Sequence, residues 1–68
     1  MTQGEFIRAR REELRLTQKE LGLALGYADR SAGTVIQNWE HGRSPVPLDK
    51  LRVLAKALHV PLDSPLIP

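Results

Sequence analysis

A chain of 68 residues with ten Lys and Arg, eight Asp and Glu, a formal charge of +2 and a sequence pI near 9.5 has room for one small core. Domains of this size bury only about 60% of the surface their unfolded chain exposes, so residues 1–68 read as a single domain. With no cysteine there is no disulfide framework or thiolate metal site. His41 and His59 are too few and too far apart to close a zinc site, and no metal or other cofactor is expected. No apolar run approaches the roughly 18 residues of a membrane span. The opening "MTQGEFIRARREE" lacks the continuous apolar stretch of a signal peptide. The expectation is a soluble cytoplasmic chain with no membrane partner. Its modest positive charge permits an acidic partner such as nucleic acid without requiring one.

Thr2 followed by Glu5 forms a capping-box pattern, in which each side chain satisfies a backbone N–H at a helix start. A first helix is predicted from Gln3 to Leu14, with Phe6, Ile7 and Leu14 on its apolar side. Arg11, at i+4 from Ile7 and i−3 from Leu14, falls on that same inward face. Thr17 and Glu20 repeat the capping box. They open a second helix of barely two turns whose inner face is Leu21, Ala24 and Leu25 and which Gly26 can end in a left-handed conformation. After a loop from Tyr27 to about Arg30, Ala32, Val35, Ile36 and Trp39 recur at helical spacing, and Gly42 offers another C-cap. The proline-bracketed "SPVP" marks a turn. Leu48, Leu51, Leu54, Ala55 and Leu58 then give a fourth amphipathic helix. The prolines of "HVPLDSPLIP" limit a fifth helix to about a turn. The expected architecture is a compact all-α domain of four to five helices.

With residues 32, 35, 36 and 39 inward, the third helix turns Arg30, Ser31, Thr34, Gln37, Asn38 and His41 outward. That face is nearly uncharged, where a merely solvated face would more often carry Lys and Glu. Amides and hydroxyls both donate and accept, as pairing with base edges requires: Gln or Asn bonds bidentately to adenine and Thr touches a thymine methyl. A plain polar surface is the competing reading of this face taken alone.

Read together, "LRLTQKELGLALG", "TVIQNWEHGR" and "LDKLRVLAKALHVPLD" resemble the Cro and lambda-repressor class of helix-turn-helix DNA-binding domains, the XRE family. The resemblance covers about residues 5 to 63, with the helix-turn-helix at about 17–41. It rests on three motifs in order: the Thr-Gln opening of helix two, the Trp-Glu-x-Gly ending of helix three and the Leu-Ala-x-x-Leu of helix four. It implies that helix two crosses the DNA backbone while helix three enters the major groove. Gln18 is then expected on a phosphate at the start of helix two. Arg43 and Ser44, in the loop after helix three, are expected on the backbone. The resemblance also pairs the inward Arg11 with Glu40 as a structural link between helix one and the end of helix three. Arg8, Arg10 and Arg15 lie off the inner face and read chiefly as solvated charges.

Two departures from the family pattern stand out. Gly22 occupies a position usually held by alanine, where helix three packs closely. It keeps the space while giving up about 1 kcal/mol of helix propensity. The interval from Gly26 to Trp39 is about four residues longer than usual, so either the turn is enlarged or helix three starts about one turn earlier. In the second case Ser31 or Asp29 caps it, Arg30 and Ser31 sit at its groove-facing end, and Gly33 in the first turn permits close approach to the DNA backbone. Counting back from Trp39 assigns base reading to Thr34, Gln37 and Asn38, with Arg30 and Ser31 beside them. Trp39 reads as core. Tyr27 either packs on the end of helix two or meets a phosphate.

No serine sits at a nucleophile elbow and no glycine-rich phosphate loop is present, so the chain is not expected to be an enzyme. The implied function is a sequence-specific double-stranded DNA-binding transcriptional regulator, a repressor of a bacterial or phage-infected cell, acting as a homodimer on a palindromic operator with half-sites about 34 Å apart. Val60, Leu62, Leu66 and Ile67 are the candidate dimer surface, the other reading being that this tail docks on the protein's own core. The alternative function is a protein-interaction module, antitoxin-like or adaptor, using the same helical face.

Overall fold

Two of the helices begin where threonine meets glutamate three residues on. In the computed structural model, which describes residues 1–61, Thr2 Oγ1 accepts from the Glu5 N–H at 3.1 Å and Glu5 accepts from the Thr2 N–H at 2.8 Å. Thr17 and Glu20 repeat the exchange at 3.0 and 2.8 Å. These capping boxes open α1 (Gln3–Glu13) and α2 (Gln18–Ala24); α3 (Asp29–Glu40) and α4 (Leu48–Ala57) follow, with no strand among the described residues. The fold is all-α.

All four helices end with the same device. The residue after each C-cap takes positive φ: Arg15 (59°), Gly26 (92°), Gly42 (71°) and His59 (56°). Its N–H and the next one fold back onto the last helical carbonyls, as in Arg15 to Glu12 and Leu16 to Arg11. The paired 5→2 and 6→1 bonds define the Schellman motif. It satisfies orphan carbonyls and reverses the chain within a few residues, so short connections suffice.

The surplus between Gly26 and Trp39 lies in the helix and not in the turn. Only residues 25–28 separate α2 from α3, and α3 starts at Asp29. The predicted loop from Tyr27 to Arg30 is corrected accordingly. Neither Ser31 nor Asp29 is the cap: Ala28 holds that position with no side-chain hydrogen bond. Asp29 is the first helical residue, where its carboxylate complements the positive end of the helix dipole and pairs with Lys19 of α2 at 3.1 Å. Ser31 is half-buried and its hydroxyl donates to the Ala28 carbonyl at 3.3 Å.

The core gathers Ile7, Leu21, Leu25, Ile36, Trp39, Leu51, Leu54, Ala55 and Leu58, one stripe from each helix. Burying each Leu or Ile contributes about 1.5–3 kcal/mol. Two apolar assignments change. Ala24 is exposed, because the buried stripe of α2 runs through Leu21, Gly22 and Leu25. Leu48, read as part of the α4 stripe, is 85% exposed. Val46, just before Pro47, is buried in the core instead, so the turn itself supplies an apolar side chain and the first residue of α4 is left in solvent.

Candidate nucleic-acid interface

Two glycines hold α3 against its neighbours. A Cβ on Gly22 would overlap the Ala32 carbonyl, and one on Gly4 would overlap the Glu40 carbonyl while lying 2.7 Å from that of Trp39. Backbone therefore meets backbone at both ends of α3, on α2 near its start and on α1 near its finish. Gly22 is more than a placeholder for alanine, since no side chain fits there. Gly33 lies past the first turn of α3, a correction to its expected place. A Cβ there would meet Lys19 at 3.7–3.8 Å, so this position faces α2 across an ordinary van der Waals distance.

At the end of α3 the Glu40 carboxylate, 3% exposed, accepts from three donors. Arg11 Nε approaches Oε2 at 2.6 Å, Arg11 Nη2 approaches Oε1 at 3.3 Å, and Gln18 Nε2 donates to Oε1 at 3.1 Å. The remaining arm of the guanidinium, Nη1, donates to the Leu16 carbonyl at 2.8 Å. A buried charge is tolerated when paired and hydrogen-bonded, and here the pairing joins α1, the α1–α2 connection, the start of α2 and the end of α3. Gln18 is thereby oriented: one amide hydrogen is held by Glu40, which leaves the second for an external acceptor. The Thr17–Glu20 capping box already occupies the first-turn N–H of Glu20 and places a carboxylate there.

Of the outward residues of α3, Arg30, Thr34, Gln37 and His41 are exposed, and Ser31 and Asn38 are half-buried. Arg43 and Ser44 follow in an exposed loop whose backbone is fixed by the Arg43 N–H to the Asn38 carbonyl, 2.9 Å. Among the described residues the side chains of Arg30, Thr34, Gln37, Asn38 and Arg43 make no hydrogen bond or ion pair with the rest of the protein. The face is polar, held on a rigid helix and uncommitted. Two clefts flank the end of α3. One is lined by Arg8, Arg11, Thr17, Gln18, Glu40 and His41; the other lies between the first turn of α1 and the loop that carries Arg43 and Ser44. In the second cleft Glu5 is held below the ordinary carboxylate range by the Thr2 backbone N–H and then its hydroxyl.

Other polar side chains turn out to be internal fasteners. Arg10, read as solvated, donates through Nε to the Leu58 carbonyl at 2.8 Å and reaches His59 O at 3.5 Å, so it binds the C-terminal end of α4. Arg8 pairs with Glu12 on the surface at 3.4 Å. Tyr27 packs edge-on to Trp39 with ring centroids 5.8 Å apart and carries Lys50 over its face at 4.9 Å; Lys50 also donates to the Leu25 carbonyl. Burial, with the Asp49 charge adding to it, pushes the Tyr27 phenol up. Nothing in the sequence pattern singled out Gly4, Arg10 or Lys50, because their partners lie far along the chain. Val60 is half-buried and packs against the core; Leu62, Leu66 and Ile67 lie outside the described residues.

Three comparisons bear on this geometry. No curated protein matches the chain. Four solved chains match it, among them the P22 c2 repressor protein crystallised in complex with synthetic operator 9T in the presence of Tl+. That chain is 33% identical, with a TM-score of 0.83 over 98% of this chain and 96% of its own. The helix-turn-helix family model matches residues 7–64. With α2 and α3 arranged as above, the chain is a lambda-repressor-like member of the helix-turn-helix family, of the XRE type.

Proposed function

We propose that this protein is a transcriptional repressor that binds a palindromic operator as a homodimer, with α3 in the major groove. The observation that carries the reading is the uncommitted amide and hydroxyl face of α3, on a fold shared with a repressor whose solved structure includes its operator. Thr34, Gln37 and Asn38 read base edges, and Arg30 and Ser31 extend the contact toward the start of the helix. Gln18, oriented by Glu40, donates its second amide hydrogen to a phosphate. Arg43 and Ser44 hold the backbone on the other side of α3, while Gly33, turned toward Lys19 of α2, is not among the contacts. Phosphate contacts of this kind set position, and base contacts set sequence. A single module buries only about 600–1,000 Å² of protein surface, so two copies on adjacent half-sites supply useful affinity. Leu62, Leu66 and Ile67, outside the described residues, are the proposed dimer surface, whereas Val60 packs on the protein's own core. Such a protein works in the cytoplasm and catalyses nothing.

Selection of bound duplexes from a random DNA pool at moderate salt tests this. The expected result is an enriched inverted repeat whose base preference loosens in Gln37→Ala and Asn38→Ala. Binding that selects no sequence would overturn the repressor reading. A protein partner whose affinity is insensitive to salt would put the interaction-module function in its place, since DNA affinity falls with a log–log slope near −0.9 per neutralised phosphate.

A further inference from the structure

Helix α3 carries about one turn more at its start than the usual family pattern, and a single side chain of that turn is free to donate to a ligand. Asp29, 73% exposed, gives its carboxylate to Lys19 of α2 at 3.1 Å. Ser31 donates its hydroxyl hydrogen to the Ala28 carbonyl at 3.3 Å and keeps only acceptor capacity. Ala32 is buried. Arg30 is exposed and, among the described residues, makes no hydrogen bond or ion pair. Successive helical residues point about 100° apart, so the carboxylate of Asp29 turns toward α2 while Arg30 turns outward. Spacings of four and then three residues put Arg30, Thr34 and Gln37 on one line along the outward face, all of them exposed.

Resting on the DNA-binding reading and deepening it, we propose that the added turn lengthens each half-site by one guanine-selecting position, read by Arg30 beyond the base pair that Thr34 meets. A guanidinium has N–H donors and no acceptor. In the major groove guanine presents two acceptors, O6 and N7, whereas adenine combines an acceptor with a donor, thymine an acceptor with a methyl group, and cytosine offers a donor. The base that satisfies both arms of an unpaired arginine is guanine. One helical turn advances about 5.4 Å and stacked bases lie about 3.4 Å apart. Arg30 therefore reaches one to two base pairs past Thr34, toward the end of the half-site where α3 begins. The ion pair with Lys19 keeps this reading available, because the adjacent carboxylate is engaged on α2 instead of neutralising Arg30.

The test compares duplexes selected by the full chain, position by position, with those selected by Arg30→Ala and Arg30→Gln. Wild type is expected to prefer guanine about tenfold over the other bases at one outer position of each half-site, the scale of one bidentate contact. Arg30→Ala is expected to lose that preference while the inner positions keep theirs, which also shows that the variant is folded. Arg30→Gln is expected to exchange guanine for adenine there, because a side-chain amide matches the acceptor and donor of adenine. If Arg30→Ala instead weakens binding to every sequence by the same factor and lowers the salt slope by about 0.9, Arg30 sits on a phosphate and this inference alone is overturned. An outer position that is the same in all three proteins overturns it too. A wild type that selects no sequence overturns the DNA-binding reading along with it.

Discussion

Helices α3 and α4 are both amphipathic and both reach the core, yet they are fastened differently. Helix α4 is held by side chains: Leu51, Leu54 and Leu58 in the core, with Arg10 on its final carbonyls. Helix α3 has its own core stripe, Ala32, Ile36 and Trp39, but adds backbone contact through Gly22 and Gly4 and the buried carboxylate of Glu40. Side-chain packing tolerates replacement by another apolar side chain of similar volume, whereas backbone contact tolerates no added atom. The helix that presents the polar face is the one whose position has the least slack.

Cutting the polar link is expected to have the largest effect. Glu40→Ala leaves Arg11 in place without its carboxylate, and urea unfolding should show a loss of about 3–5 kcal/mol. Next comes Gly22→Ala. Although it improves helix propensity, it forces α3 away from α2, and about 1–3 kcal/mol of destabilisation is expected in the same assay; Ala24→Gly, on the exposed side, should cost no more than its helix propensity, about 1 kcal/mol. A volume-conserving change in α4, Leu54→Met, should stay below about 1.5 kcal/mol. If Gly22→Ala proved as mild as that, the contrast between the two helices would collapse. Smaller still, and opposite in sign, Arg15→Gly should stabilise by about 1 kcal/mol, because it relieves a side chain held at φ 59°.

The smallest effect concerns Tyr27, on the ring that joins the end of α2 to Trp39. Its folded phenol is raised above the ordinary value, so the unfolded chain ionises first. The contribution to stability is full below that ordinary value and falls as pH rises past it. Tyr27→Phe should flatten the alkaline limb of a stability-against-pH curve relative to wild type, as read by circular dichroism.

What was legible in the sequence is what sequence neighbours decide. Thr2 with Glu5 and Thr17 with Glu20 announce their own helix starts, and the period of Ile7 and Leu14 is enough to turn Arg11 inward. No sequence pattern marks the start of α3, because Ala28 caps it without a side-chain signal. The misplacement of Leu48 has a similar origin. Periodicity assigns it to the stripe, but a core site near the start of α4 is filled by Val46, a residue outside the helix. Gly4 and Arg10 owe their roles to chain segments some 35 to 49 residues away, which no local pattern encodes. In the candidate interface, the outward face of α3 follows from the same spacing as its buried stripe. The engagement of Gln18 by Glu40 does not, since it depends on how closely α2 and α3 meet.

The early start of α3 constrains how such a helix can change length. An α-helix advances about 100° and 1.5 Å per residue, so four residues add about 6 Å and leave the phase only about 40° from where it began. Ala32 therefore continues the line of Ile36, and both are buried. Two residues more or fewer would rotate the preceding segment by about 200°, turning Arg30 inward and Ala32 into water. Helix α3 can lengthen or shorten its reach by whole turns, in steps of about three or four residues, while intermediate lengths exchange its wet and dry sides.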